Sequence, residues 1–264
     1  MHKVAIVSSC ESKRKDNSQD YQTLSVRLAK SLRANGGSIK DIPLYMWYGV
    51  DREPSAETKT KLLSYGCILI SSESLYNKGW QFGKINAMTH PDIDAEHIIW
   101  MDTDIYINGD FSEILDYSKD LMISQVSRGN VQWARLDEND LWDKTYAHFN
   151  LERPKELYPM RIKGHTGNLY CGGGMFMFRK DSKFGELFYD TTLQVIEHCP
   201  WAMWDHDQIA CTVTVVRGGF TFGLIPDHCH YQFADHGHIL EYNPLVIHYQ
   251  SDRLPGISDE DWAI

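Results

Sequence analysis

No stretch of the chain approaches the roughly 20 uninterrupted apolar residues that a membrane-spanning helix needs, and the run VAIV near the amino terminus is too brief for a signal-peptide core. No membrane span and a cytoplasmic location are therefore expected. Basic residues are scarce relative to acids, 26 Lys and Arg against 36 Asp and Glu for a formal charge of −10. That balance argues against a nucleic acid backbone or an anionic membrane surface as partner. An anionic ligand needs local help, from a metal ion or from a few placed cations. The six cysteines (Cys10, Cys67, Cys171, Cys199, Cys211, Cys229) include no C-x-x-C pair and none of the spacings of small secreted domains, so thiols in a reducing compartment are expected. There is no internal repeat, low-complexity tract or linker composition. With 264 residues, 42% of them hydrophobic, one domain over residues 1–264 is the expectation.

What is there alternates. KVAIVSSC reads as a buried strand. A polar loop follows, then DYQTLSVRLAKSLRANGG, in which Leu24, Leu28 and Leu32 recur at helical spacing and Gly36 and Gly37 supply the stop. IPLYMWYG predicts a strand, SAETKTKLLSYG a helix closed by Gly66, CILIS a strand and GWQFGKINAMTH a helix leading into HIIWMDTDIYI. DFSEILDYS predicts another helical turn or two. The segment LDENDLWDKTYAHFNLERPKELYPMRIKGHTGN mixes aromatics with charge and reads as loop and short helix at a site. LYCGGGMFMFRKD predicts a strand entered through three glycines, KFGELFYDTTLQVIEHC and DHDQIACTVTVVRGG helices, and FTFGLIP and PLVIHYQ strands. The pattern is that of an α/β sheet covered by helices.

The run IIWMDTDIYI carries two anions, Asp102 and Asp104, where an apolar strand is expected. If the strand continues through them, both carboxylates face one way. If it ends there, the pair emerges at the carboxyl edge of a sheet, where α/β folds place ligands. Converging hard oxygen donors suit Mg²⁺ or Mn²⁺ beside a phosphate. The plainer alternative is a turn with two solvated aspartates.

WMDTDIYI, preceded by the GKINAM helix and followed by GDFSEIL, resembles the core of nucleotide-sugar glycosyltransferases of the GT-A fold, most closely the glycogenin and lipopolysaccharide galactosyltransferase group. VAIVSS with Asp20, Tyr21 and AKSL is similar to that group's opening. CGGGMFMF resembles its later small-residue strand, DHDQIACTV its Asp-Gln pair, and LVIHYQ its closing histidine strand. The resemblance spans most of the chain and rests on five matches in the right order.

It implies an α/β fold with a Rossmann-like mixed central sheet and transfer of a sugar from a UDP-sugar donor to a glycan or other hydroxyl acceptor. It also implies that Asp102, Asp104 and His248 hold Mn²⁺ (or Mg²⁺) against the donor diphosphate, with one imidazole beside two carboxylates favouring Mn²⁺. Lys84 takes the place of the group's helix lysine before the metal strand. Asp207 and Gln208 become the sugar-facing pair, Asp207 able to stabilise positive charge at the anomeric carbon. Ser8, Ser9 and Tyr21 fall near the base and ribose, and Thr103, Gly173 and Gly174 near the donor. Retention of anomeric configuration follows from the resemblance alone; an inverting enzyme needs a carboxylate base, for which Asp207 is also the candidate.

The chain departs from the group in two places. The group's glycine, lysine and Pro-Trp after the closing histidine are replaced in HYQSDRLPG, where Gln250 and Arg253 stand; arginine still contacts phosphate by paired hydrogen bonds. The group's Asn-x-Gly is replaced by glycines in YCGGGMF, so the donor sugar is not transferable from the relatives.

Each assignment has a plainer counterpart. Lys84 reads equally as a solvated helix lysine, Asp207 as a helix N-cap, and Tyr21 as a core aromatic or a stacking platform. His228, His230, His236 and His238 suggest zinc, but their spacing matches no standard module; hydrogen-bonded imidazoles in an acceptor-side loop are the plainer reading. Trp133, Trp142, Trp201 and Trp204 read as core, with one ring able to stack on an acceptor sugar. The rivals in function are a sugar nucleotidyltransferase, against which the loop SSCESKRKDNS lacks the needed glycine, and an inactive carbohydrate- or nucleotide-binding protein on the same scaffold.

Overall fold

The structure is a computed structural model, and it describes residues 1–10, 21–74, 82–126, 139–159, 166–232 and 243–249. The first half alternates as expected: β1 (His2–Ser9), α1 (Tyr21–Asn35), β2 (Leu44–Gly49), α2 (Ala56–Ser64), β3 (Cys67–Ser72), α3 (Phe82–Met88), β4 (Ala95–Met101), β5 (Ile105–Ile107) and β6 (Leu121–Gln125). There follow α4 (Asn139–His148), β7 (Tyr158–Pro159), β8 (Thr166–Gly167), β9 (Cys171–Arg179), α5 (Phe184–His198), α6 (His206–Gly218), β10 (Phe222–Leu224), β11 (Tyr231–Gln232) and β12 (Val246–His248).

Among the described residues, seven strands form the main sheet in the order β10-β6-β9-β4-β1-β2-β3. β1 pairs in parallel with β2 and β4, whereas β9 runs antiparallel between β4 and β6. A strand buried on both faces must be apolar at every position, and VAIV in the middle of β1 meets that condition. Alternate residues supply two cores. Ala5, Val7, Ile98, Trp100, Phe176 and Phe178 pack on one face with α3, α4, α5 and α6. Val4, Ile6, Ile99, Met101, Met175 and Met177 pack on the other with α1 and Leu62 of α2.

Of the two courses open to the strand at the aspartates, the structure takes the second: β4 stops at Met101, and β5 joins a second sheet of order β11-β12-β5. The helical turn expected in DFSEILDYS is a single one, Ser112–Ile114. α1 ties the small sheet to the large one. Ser31 Oγ accepts from the Ile107 amide at 3.1 Å, Asn35 Nδ2 donates to the Ile107 carbonyl at 2.9 Å, and Arg27 Nη1 donates to Tyr249 Oη at 3.3 Å.

Candidate active site

β1 and β4 are parallel neighbours, so Ser8, Ser9 and Asp102 leave the main sheet on one edge, and antiparallel β9 brings its glycines to that edge. Trp100 belongs to the face covered by α3 and α6, and Asp102 two residues on turns to the same side. The Trp100 indole Nε1 donates to Asp102 Oδ1 at 2.8 Å, and the Asp102 amide donates to the Gly174 carbonyl at 2.8 Å.

Lys84 of α3 is no solvated lysine. At 8% exposure its ammonium donates to the Gly173 carbonyl at 2.6 Å and to Asp207 Oδ2 at 2.8 Å, and it lies 3.3 Å from Asp102 Oδ1. Its three donors thus have three partners. Asp207 is no N-cap either: Asp205 holds that position at α6, and the Asp207 side chain is spent on Lys84. Gln208, half-buried, sits beside Gly173.

From the other side, β12 pairs with β5 so that His248 faces Ile105, and His248 Nε2 lies 3.1 Å from Asp104 Oδ1. Ligand atoms of Asp102, Asp104 and His248 all lie within 4.8 Å of one another. Thr103 between the aspartates is buried.

The glycines make room for the protein's own side chains. A Cβ on Gly173 would sit 2.6 Å from Asp207 Oδ2, and one on Gly174 would sit 2.6 Å from His248 Nδ1 and 3.0 Å from His230 Nε2. Gly174→Ala is therefore expected to displace the imidazole and, were Mn²⁺ held there, to weaken its binding about 10- to 100-fold, as disturbed ligand orientation typically does. Calorimetric titration checks this; unchanged affinity would mean the close packing does not set the histidine.

Burial pushes the Asp102 carboxyl up, with Asp104 and Asp207 adding to it against Lys84. Burial also opposes ionisation of Asp104, but His248 beside it outweighs that and holds the carboxyl below its ordinary value. Burial disfavours the charged forms of Lys84 and His248, yet Asp102 and Asp207 hold the lysine above its usual value and Asp104 does so for the histidine. A proton and any metal ion at this imidazole would compete, and low pH favours the proton.

These residues fit a divalent cation. Among the described residues, Asp102 and Asp207 pair with Lys84 and Asp104 with His248, so once the imidazole is neutral the carboxylates outnumber the cations, a balance that suits a further cation. His248 Nδ1 is buried with no hydrogen-bond partner among the described residues, so the ring is not locked into a protein network through that nitrogen. Two carboxylates with one imidazole suit Mn²⁺ or Mg²⁺.

Of the remaining sequence candidates, Ser8 is fully buried with an Oγ that has no hydrogen-bond partner among the described residues, and Ser9 is half-buried beside it. Tyr21 packs against the cluster of Leu24, Tyr106, Tyr231, Ile247 and Tyr249. Arg253, Gln250, Asp20, His236, His238 and Trp133 lie outside the described residues, as does the Trp204 side chain. Trp142 is buried and Trp201 half-buried. Two neighbours of this cluster escaped the sequence reading of it: Trp100, whose i, i+2 spacing to Asp102 was a usable signal, and His230, whose ring stacks on His248 with centroids 5.4 Å apart.

Among solved structures, galactosyltransferase LgtC in complex with donor and acceptor sugar analogues matches with a TM-score of 0.60 at 12% identity, over 100% of this chain and 92% of LgtC. Glycosyltransferase GlyE of Streptococcus pneumoniae TIGR4 matches at 0.57 and 14% identity over 97% of this chain; the chain spans 57% of GlyE. Mouse xyloside xylosyltransferase 1 matches at 0.50 and 12% identity over 96% of this chain and 99% of the mouse protein. A search of the curated proteins returned no match. The likenesses show the GT-A fold. The model of the Rhodobacterales glycosyltransferase domain covers residues 16–219, a stretch that holds Lys84, both aspartates of the pair and Asp207. With most of the chain inside that model, the protein belongs to the Rhodobacterales glycosyltransferase domain family.

Proposed function

We propose that residues 1–264 act as one GT-A domain that transfers a sugar from a nucleoside diphosphate, a UDP-sugar, to a glycan or other hydroxyl acceptor, with Mn²⁺ (or Mg²⁺) at Asp102, Asp104 and His248 and with retention of configuration. The observation that carries this reading is the convergence of those three ligands within 4.8 Å, joined through Lys84 to Asp207. A divalent ion held there supplies Lewis-acid stabilisation of the departing diphosphate.

The chain's own residues supply the rest. Lys84 fixes the orientation of Asp207, and its charge lies near the metal ligands, where a diphosphate would rest. Asp207 and Gln208 face the donor sugar, while the Ser8 hydroxyl, Ser9 and Tyr21 serve the nucleoside. Thr103, Gly173 and Gly174 line the diphosphate and sugar, and Arg253 adds a phosphate contact. LgtC is a galactosyltransferase and the mouse neighbour a xylosyltransferase, so the shared fold does not select the sugar.

A thermal-shift screen of nucleotide sugars with and without Mn²⁺ identifies the donor, because a ligand that binds only the native state raises the melting temperature. With that donor, Asp207→Asn is expected to cut turnover about 10²- to 10³-fold, the scale of one lost electrostatic stabiliser, and to alter donor-sugar preference while Mn²⁺-dependent UDP binding persists. Proton NMR coupling constants of the product read its anomeric configuration. An inverted product would overturn retention, and unchanged kinetics would remove Asp207 from the reaction. No Mn²⁺-dependent shift with any nucleotide sugar would sink the metal-dependent reading.

A further inference from the structure

β5 and β11 are the outer strands of the small sheet whose middle strand, β12, ends in His248. Beyond β5 the chain runs to the turn Ser112–Ile114, which presents Glu113. Just before β11 lies the turn Asp227–Cys229, which presents His228 and Cys229. The two turns meet beside the sheet. Glu113 Oε1 is in contact with His228 Nε2 and accepts from Cys229 Sγ at 3.1 Å. One ligand atom from each of the three residues lies within 4.8 Å of the other two.

We propose that Glu113, His228 and Cys229 form a second metal site, suited to Zn²⁺, that clasps β5 and β11 on either side of the strand carrying His248. The donor set distinguishes this site from the first. A thiolate, an imidazole and a carboxylate suit a borderline-soft ion of tetrahedral habit, whereas hard Mg²⁺ avoids sulfur. Three protein donors leave a fourth position for water. Cys229 is buried beneath the site, while the side chains of His228 and Glu113 are 44% and 47% exposed, so an ion has a way in from solvent. On loading, the ion replaces the proton that Cys229 now donates to Glu113: the sulfur–hydrogen bond breaks, a sulfur–metal bond forms, and the proton leaves to solvent.

The position gives the site a structural task. The His228 carbonyl accepts from the Leu245 amide at 2.7 Å, and the Leu245 carbonyl accepts from the Asn108 amide at 2.8 Å and the Gly109 amide at 3.1 Å. The residue after Cys229 is His230, whose ring stacks on that of His248. An ion that pins the two turns therefore also braces the ring against which His248 rests. Its three ligands are separate from the residues on which the transferase reading depends, so the two can fail independently.

Cobalt separates the two sites. The complete protein, stripped of metal and titrated with Co²⁺, is expected to develop a near-ultraviolet thiolate-to-cobalt charge-transfer band that Zn²⁺ abolishes. Asp102, Asp104 and His248 contain no sulfur and cannot produce that band, so it persists in Asp104→Asn and disappears in Cys229→Ser. Because Cys229 is buried, its variant is paired with Glu113→Gln and His228→Ala at exposed positions, each expected to weaken Zn²⁺ binding at least 10- to 100-fold. Absence of the band in the wild type, its survival in Cys229→Ser, or undiminished Zn²⁺ affinity in both exposed variants would overturn the proposal.

Discussion

Asp104→Asn and Asp102→Asn, made separately, are expected to lower Mn²⁺-dependent transfer on the order of 10³-fold, the scale seen when one preorganised electrostatic group is lost, while leaving the melting temperature close to that of the wild type. Asparagine keeps the shape and an accepting oxygen. The bond from the Trp100 indole to position 102 can therefore persist, as can the contact between position 104 and His248 Nε2. What disappears is a formal charge among the carboxylates of this cluster, and with it much of the attraction for a divalent cation. Initial rates across a Mn²⁺ series, with circular dichroism as the control for folding, check this. A variant that retained near wild-type rates at low Mn²⁺ would take that aspartate out of the metal site.

Lys84→Met is expected to act on stability as well as on activity. The ammonium is the cation shared by Asp102 and Asp207, and at 8% exposure it has little water to replace it. Removing one member of a buried ionic network typically costs about 3–5 kcal/mol, because the remaining charges stay buried without compensation. At about 2–4 °C per kcal/mol for a chain of this size class, that is a fall of about 10 °C in melting temperature. The double variant Lys84→Met, Asp207→Asn removes one stranded charge and should recover a substantial part of the loss, the non-additivity expected of residues in one network. A single variant that melts within a degree or two of the wild type would show that Lys84 does not neutralise these carboxylates.

The sheet and its helices were legible because each element carries its own signal. β1 is apolar throughout, α1 repeats leucine at helical spacing, and α2 begins at Ser55, whose Oγ accepts from the Thr58 amide at 3.1 Å, and closes at Gly66 with φ of 68°. β6 was passed over. Its five residues LMISQ follow a turn-rich stretch and offer too little alternation to stand out, yet they pair with both β9 and β10. The break between β4 and β5 was also hidden, because IIWM and IYI are equally apolar and only the choice of sheet separates them. In the site, the aspartate pair, Lys84, Asp207 and His248 were visible through their order along the chain and the resemblance it supports. Their wiring was not: that Lys84 joins Asp102 to Asp207 depends on how α3 and α6 pack. Glu113 and Cys229 were beyond reach for a similar reason, since 116 positions separate them and no local pattern links them.

The spacing of the aspartates has a second origin, in chain length. Asp102 is fastened to the main sheet through its amide on Gly174, and Asp104 to the small sheet through its carbonyl, which accepts from the Tyr249 amide at 3.0 Å. Only Thr103 lies between these fastenings. Met101 is held opposite Met175 on one side and Ile105 opposite His248 on the other, so the distance between two independently registered sheets dictates how many residues can span it. One residue more or fewer would shift β5 by one step and turn every side chain in it to the opposite face, exchanging the surroundings of Ile105 and Ile107 with those of Tyr106. The single residue between the aspartates is thus a bridge of fixed span, set by the architecture on both banks as much as by the geometry of an ion.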